Sequence, residues 1–590
     1  MDITTITTDA MLRKYKSIRR ELLESNTTWL EKHIAILGGS TTTDIRKMLE
    51  LYLLSHGIRP VFYESEYAQY WQDAMFPPAT LSAFAPDVVF IHTSNRNITQ
   101  YPSPGDSAQT VDALRNAELD KFTQMWDKLA NDYHCPIIQN NFEYPYFRLM
   151  GNAEASSVCG RVNFLTKLNL AFADYAQSHS GFTINDINYL SAEYGLVAWS
   201  DPFYWHMYKY ALCVPAIPRF AQNIANIIKS IYGMNKKAFA LDLDNTLWGG
   251  VVGDDGVENL EIGQETSAGQ TYAEFQSYLK AHKKLGVILN VISKNDESNA
   301  IAGLSRPDNL LPPEEFISIK ANWLPKSKNL IDMAEELAVL PESFVFVDDN
   351  PAEREIIRQQ VPGVAVPEID RPEHYIKVID MEGYFEVTNL SEDDLNRTKM
   401  YEQNAARAKA QTTFADYEDY LLSLDMQAQI KAFEPMFLSR ITQLTNKSNQ
   451  FNLTTRRFAQ DEIAAFAENP QYITLYGKLL DKFGDNGVVS IVIGEKVDNN
   501  LHIRLWLMSC RVLKRDMEFA MMDEFAHHAM QAGIAILYGY YYPTAKNAMV
   551  QDFYEQMGFQ LQSTDGDGNK TYKLDISSGY NNKQHVIKVN

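Results

Sequence analysis

The sequence predicts an α/β protein of three domains, and three observations predict it. Short apolar runs of strand length alternate with longer segments of helical period, which is the pattern of sheets covered by helices. At 590 residues the chain is too long for a single core and long enough for about three or four domains. Hydrophobic residues make up 45% of it, with 29 Gly and 23 Pro spread along its length, which excludes a disordered, collagen-like or low-complexity protein.

The elements follow in order. Strands are predicted at Ile34 to Leu37, Val88 to Ile91 and Ile137 to Gln139, with helices at Ile45 to Ser55, Phe164 to Gln177 and Asn223 to Tyr232, where apolar positions recur three and four apart. These elements make a first domain over residues 1–233. A second, over 234–380, has strands at Ala238 to Leu243, Val287 to Ile292 and Phe344 to Val347, and helices at Ala273 to Leu285 and Lys328 to Leu337. Residues 381–428 turn charged and Ala-rich and read as a solvated helical connector with opposite charges close on its faces. The third domain, 429–590, is mixed α/β. Its strands are predicted at Val488 to Ile493, Leu501 to Leu507 and Ile536 to Tyr541, its helices at Met517 to Met530 and Met549 to Met557. Asp565 to Asn569 reads as a hairpin turn.

The net charge of −21 argues against a broad nucleic-acid or anionic-membrane surface, since binding phosphates over an area needs an excess of Lys and Arg. Four scattered cysteines give neither a disulfide framework nor paired zinc ligands, so a reducing compartment is the natural reading. The first residues lack an apolar signal-peptide core and no stretch reaches the roughly 18 consecutive apolar residues that span a bilayer. The expectation is a soluble cytoplasmic protein.

The most informative segment is Ala238-Phe-Ala-Leu-Asp242-Leu-Asp244-Asn-Thr246-Leu-Trp-Gly-Gly250. An apolar strand delivers two carboxylates, two residues apart, to the carboxyl end of a sheet, where ligands bind in open α/β folds. Alone, two acids after a strand are also an ordinary loop start. Three further features follow in order: Ser293 after an apolar run, Lys326 in Asn322-Trp-Leu-Pro-Lys326, and Asp348-Asp349-Asn350 after another. Taken alone, Ser293 would be a helix N-cap.

This ordered series resembles the four motifs of the haloacid dehalogenase (HAD) phosphohydrolase superfamily. The wording of Asp242 to Gly253, of Ser293-Lys-Asn-Asp296 and of Val347 to Arg354 resembles its FkbH-like branch, subfamily IIIC. The resemblance implies a Rossmann-like core with Asp242 as nucleophile, Asp244 as general acid and base, and Ser293 and Lys326 on the phosphate oxygens. It implies Mg²⁺ held by Asp242, the backbone carbonyl of Asp244 and Asp349, with Asp348 sharing or replacing Asp349, and substrate contacts from Thr246, Lys294, Asn295 and Asn350. These residue types suit the chemistry: a carboxylate can attack phosphorus, a second can move the proton, and a hard divalent ion prefers oxygen ligands. Neither the 51 positions from Asp242 to Ser293 nor the 33 from there to Lys326 hold a separate cap domain, so an open site is expected. Trp248 to Ile262 read as a short flap.

The flanking domains carry partial resemblances. Ile36-Leu-Gly-Gly-Ser40-Thr-Thr-Thr-Asp44 is similar to the start of long FkbH-like proteins, whose first domain looks like an SGNH-hydrolase, a flavodoxin-like α/β fold. That resemblance implies a second site of Ser40, Asn95, Asp201 and His206. Gly39 stands where the family has Asp, however, and the bland reading of Ser40 to Asp44 is a helix N-cap. Ser509 to Arg515 ahead of a helix, with Asn547 and Phe553 to Phe559, resembles a GNAT-type acyltransferase. Lys514 and Asp516 occupy the two positions where that pattern has Gly and would crowd and repel a coenzyme pyrophosphate, so a carrier-docking or structural role is expected there.

Together these readings give a Mg²⁺-dependent phosphohydrolase or phosphotransferase acting on a bulky or carrier-bound phosphorylated substrate. The FkbH-like resemblance also implies an alternative, a glyceryl transferase loading an acyl carrier protein from 1,3-bisphosphoglycerate. The segment between Cys213 and Cys510 has no cysteine to hold a glyceryl group. A non-catalytic phosphate-binding scaffold is the third alternative.

Overall fold

The computed structural model describes residues 3, 6–26, 29–390, 392–448, 450–458, 460–544 and 546–590. The chain divides into two compact units, Met1–Ile231 and Tyr232–Asn590. The first is built on a parallel sheet of β1 (Leu30–Gly38), β2 (Ile58–Glu64), β3 (Val88–His92), β4 (Ile137–Asn140) and β5 (Phe182–Asn185), in the order β2-β1-β3-β4-β5. Side chains alternate across a strand. Ala35, Leu37, Val89 and Ile91 therefore share one face, where they join Phe122 and Trp126 of the helix Ala108–Tyr133 and Phe164 and Phe172 of the helix Arg161–Ser178 in one core. On the other face the ring of Phe220, from the helix Ile217–Ile231, packs on Phe90 and His92. Strand order reverses between β1 and β3, the switch point at whose carboxyl ends open α/β folds bind ligands.

The second unit holds two sheets. β6 (Ala238–Leu241), β7 (Ile288–Ser293), β8 (Ser318–Ala321) and β9 (Phe344–Val347) are parallel in the order β8-β7-β6-β9. β6 and β9 are buried along their whole length, as strands covered by helices on both faces must be. Between β6 and the helix Ser267–Lys284 lie only the short helical turns Val252–Asp255 and Val257–Asn259, so the expected flap is there in place of a cap domain.

The other sheet comprises β10 (Gln427–Lys431), β11 (Phe451–Asn452), β12 (Tyr472–Asp481), β13 (Gly484–Val497), β14 (Asn500–Met508), β15 (Ile536–Tyr541), β16 (Gln560–Thr564), β17 (Lys570–Asp575) and β18 (Lys588–Val589). Its order is β16-β17-β15-β14-β13-β12-β10-β18, with β11 paired to β14. β14 and β15 pair in parallel only over Asn500 to His502 and Ile536 to Tyr538. Where they part, Leu453 bridges them: its N–H donates to the Trp506 carbonyl and its carbonyl accepts from Tyr542 N–H. Asp565 to Asn569 form the hairpin turn between β16 and β17.

The connector departs from expectation. It is helical, at Arg397–Gln411 and Tyr417–Ser423, but not solvated along its length. Arg407 is buried in a bidentate pair with Asp481, both contacts 2.8 Å, and Arg515 adds a third contact at 3.1 Å. Two guanidinium groups around one fully buried carboxylate satisfy the charge that burial would otherwise penalise. Arg407→Met should destabilise the second unit by about 3 kcal/mol in urea unfolding, because Asp481 would lose its bidentate partner. Lys328→Met, which breaks the exposed Lys328–Asp332 pair, should cost no more than about 0.5 kcal/mol.

Candidate active site

Register brings the acids together. β6 and β9 pair with Leu241 opposite Val347, so the next residues, Asp242 and Asp348, emerge side by side at the carboxyl ends. Asp242 N–H continues the ladder to the Val347 carbonyl at 2.9 Å. Ser293 ends β7 and is buried. Lys326 is the first residue of the helix Lys326–Glu336, and its ammonium lies 2.8 Å from Asp242 Oδ2 and 2.6 Å from Asp348 Oδ2. One oxygen from each of Asp242, Asp348 and Asp349 lies within 4.8 Å of the others. Arg354 holds the acidic turn by donating to the carbonyls of Asp348 and Asp349, both at 2.8 Å.

The electrostatics are those of a site short of positive charge. Burial, then the neighbouring Asp242 charge, pushes the Asp348 carboxyl up to about 6, and the same two causes raise Asp349. Burial opposes the charge on Lys326, but the carboxylates of Asp242 and Asp348 outweigh it and raise the ammonium. Asp242 Oδ1 is buried with no hydrogen-bond partner among the described residues. An orphaned carboxylate oxygen beside two further carboxylates fits a hard, oxygen-seeking cation such as Mg²⁺.

Asp244 is set apart from this cluster by three donors: Trp248 Nε1 at 3.0 Å, Val252 N–H at 3.1 Å and Asn295 Nδ2 at 3.0 Å. Burial raises its pKa, against the hydrogen bonds from Val252 and Trp248. The flap thus fixes the second carboxylate, a role for Trp248 that no spacing in the sequence announces. Asn295→Ala should lower kcat about tenfold with a smaller change in KM, because one hydrogen bond to a charged group is lost; steady-state kinetics would check it.

The residues expected on substrate are engaged within the protein. Thr246 Oγ1 accepts from Asp349 N–H at 3.2 Å, Lys294 pairs with Glu353 at 2.5 Å, and Asn350 Oδ1 caps the helix Pro351–Gln360 through Ala352 N–H at 2.9 Å. Trp323, three residues before Lys326, is 71% exposed and anchored through Nε1 to Asp296 at 2.9 Å.

In the first unit no hydrogen bond or ion pair joins Ser40, Asn95, Asp201 and His206 to one another among the described residues, although Thr41 N–H donates to the Lys209 carbonyl at 3.0 Å and the Arg96 guanidinium lies over the Trp205 ring. Asp201 caps the helix Pro202–Tyr208 through Phe203 N–H at 2.8 Å, His206 is exposed on that helix, and Asn95 donates its amide to Glu143 at 2.8 Å. The Asp–Pro pair at 201 and 202 is an N-cap followed by proline in the first turn. Gly39 stands in place of Asp because a Cβ there would lie 2.5 Å from the Asn97 amide. In the last domain Lys514 and Asp516 have φ of 62° and 60°, the left-handed region that favours glycine, so the turn keeps its shape with side chains added. Tyr417 Oη donates to the Lys514 carbonyl, and Asp516 and Glu518 stand at the start of the helix Met517–Gln531. Burial raises the Glu518 carboxyl to about 7, which leaves Asp516 at the N-cap as the acid that an approaching pyrophosphate would meet.

Residues 33–229 match the family described as FkbH, N-terminal domain. That FkbH segment is about a third of the chain and lies wholly within the first unit. A similar solved structure is the N-terminal part of the protein BF1531 from Bacteroides fragilis, containing a phosphatase domain complexed with Mg. It is 28% identical, with a TM-score of 0.58, over 64% of this chain and 99% of that one. The ribosomal-protein-S18-alanine N-acetyltransferase of Escherichia coli is 15% identical, with a TM-score of 0.21, over 27% of this chain and 100% of that one. An acetyltransferase of Thermus thermophilus is 13% identical, with a TM-score of 0.21, over 26% and 99%. No curated protein matches the chain. No helix among the described residues is long and apolar enough to cross a membrane.

Proposed function

We propose that the second unit is a Mg²⁺-dependent phosphohydrolase or phosphotransferase that works through an aspartyl phosphate at Asp242. The observation that carries this reading is the meeting of Asp242, Lys326, Asp348 and Asp349, with Asp242 Oδ1 buried and without a hydrogen-bond partner among the described residues. The likeness to a structure that contains a phosphatase domain with Mg supports it.

In this reading the Asp242 carboxylate attacks phosphorus and the bond to the leaving oxygen breaks as the acyl phosphate forms. Asp244, held by Trp248, Val252 and Asn295, gives its proton to that oxygen and then takes one from the water or acceptor that attacks in turn. Lys326 stabilises negative charge on the transferring group, and Ser293 donates to one of its oxygens. Asp242, Asp348 and Asp349 are the side chains that would hold Mg²⁺, which supplies the positive charge an anionic nucleophile needs to meet an anionic phosphate. A short flap, with Trp323 exposed beside the site, favours a bulky or carrier-bound substrate over one sealed beneath a cap.

Trapping tests the intermediate. Acid quenching during turnover of a phosphate ester, followed by peptide mass analysis, should find a hydroxylamine-labile phosphoryl group on the peptide holding Asp242. Turnover with the label on another residue would overturn the assignment.

A further inference from the structure

The carboxyl ends of β1 and β3 hold two polar groups that the phosphatase reading does not use. Ser40 and His92 are each 2% exposed, and Ser40 Oγ and His92 Nε2 have no hydrogen-bond partner among the described residues. The strands bring them near each other. Gly38 lies opposite His92 in the β1–β3 register, Gly39 N–H donates to the His92 carbonyl at 2.7 Å, and Ser40 follows directly. A Cβ at residue 38 would meet the Thr42 side chain at 2.8 Å and the Ser40 carbonyl at 2.9 Å, so glycine lets the chain turn tightly beside the His92 carbonyl. This is the crevice where the strand order reverses.

The protonation of His92 follows from its neighbours. Asn140 Nδ2 lies 2.9 Å from His92 Nδ1 and also donates to the Thr93 carbonyl at 3.0 Å, while Asn140 Oδ1 accepts from Asn185 Nδ2 at 2.7 Å. Asn185 Oδ1 in turn accepts from Asn223 Nδ2 at 2.7 Å. The Thr93 carbonyl can only accept, so the Asn140 amide has one orientation and its nitrogen donates to Nδ1. The proton of a neutral imidazole then sits on Nε2. Burial depresses the group to about 3, so it stays neutral at physiological pH. His92 Nε2 is therefore an unpartnered donor beside the Phe220 ring and cannot take a proton from Ser40. A serine without a base is a poor nucleophile, which argues for binding over hydrolysis.

The loop from Gly38 leads into the helix Thr43–Ser55, whose N-cap residue Thr42 makes no side-chain cap bond. Its hydroxyl goes instead to Glu64 at 2.6 Å. The carboxylates of this turn are occupied: Glu64 by Thr42 and Arg46, Asp44 by Lys47 and Tyr210. A helix N-terminus beside two unpartnered buried donors is an acceptor-binding arrangement.

We propose that the first unit binds an oxyanion headgroup, a carboxylate or a phosphate, in the crevice between β1 and β3, with the Ser40 hydroxyl and the Nε2–H of His92 as its fixed donors. The site is a recognition site, separate from the acid cluster of the second unit.

The test uses the full chain with ¹⁵N-labelled histidine, His92 being assigned by its loss in His92→Phe. Inorganic phosphate and acetate are titrated separately, so that the two headgroup classes are told apart. The expected result is a neutral His92 with its proton on Nε2 and a saturable shift of that signal with one of the two anions. Ser40→Ala should raise the midpoint about tenfold or more, and Asp242→Asn should leave it unchanged. Ser40→Ala should also melt no lower than the parent without anion, because it removes a buried hydroxyl that has no partner. A proton on Nδ1, a signal that neither anion moves, a midpoint insensitive to Ser40→Ala, or a Ser40→Ala chain that unfolds more easily would each overturn the proposal.

Discussion

Asp242→Asn should release no phosphate from any ester that the parent chain hydrolyses, with kcat down by several orders of magnitude, as when a covalent nucleophile is removed. The substitution is isosteric. An amide oxygen can still accept from the Lys326 ammonium, which lies 2.8 Å from Asp242 Oδ2 in the parent. An amide neither attacks phosphorus nor offers a cation a full negative charge. The stability readout separates this loss from unfolding. Asp242 lies close to the buried Asp348 and to Asp349, and its charge raises the pKa of both. Removing it relieves like-charge repulsion, so without Mg²⁺ the variant should melt at the same temperature as the parent or above it. A chain that only bound phosphate as a scaffold would have no turnover to lose. A parent that turns over phosphate esters and a variant that does so equally well would end the case for Asp242.

What could be read in the sequence, and what could not, divides along one line. Strands buried on both faces announce themselves as largely apolar runs, so β6, β7 and β9 were legible and Asp242, Ser293 and Asp348 at their ends could be ordered along the chain. β2, with Pro60 and alternating exposure, and β8, Ser318-Ile-Lys-Ala, lie at sheet edges and lack that signature. Partners far apart in sequence were invisible too. Arg407 reads as one charge among many in a solvated helix until Asp481, 74 positions later, is found against it. His92 lies just past the strand predicted at Val88 to Ile91, and only the register with Gly38 and the hydrogen bond to Asn140 give it a chemical role. Asp201 and His206 follow from the SGNH resemblance, although their spacing departs from that pattern, and in the structure Asp201 is the N-cap of the helix Pro202–Tyr208 that carries His206.

The second large effect belongs to Lys326. Its side chain is 3% exposed and lies between carboxylates that are 10% and 0% exposed, so it is a buried cation shared by two buried anions. Lys326→Met keeps the length of the stem and removes only the charge. Breaking a buried pair from one side costs about 3–5 kcal/mol, and the loss should appear in urea unfolding of the Mg²⁺-free chain. Catalysis should fall about a hundredfold to a thousandfold, as when a donor that meets developing charge is removed. The pH dependence has a definite sign. Burial and Asp242 already hold Asp348 at about 6, above the ordinary carboxylate range, so folding favours its protonated form. Stability from that proton is complete below the unfolded-state pKa and is lost as pH rises through the folded one. Without the ammonium the folded value rises further, because the lysine charge was lowering it. The deficit of the variant should therefore be smaller at pH 5 than at pH 8, and Mg²⁺ should shrink it at pH 8 by restoring positive charge between the same carboxylates. A deficit that is flat with pH and indifferent to Mg²⁺ would mean that the lysine contributes packing alone, and the electrostatic account of the site would fall with it.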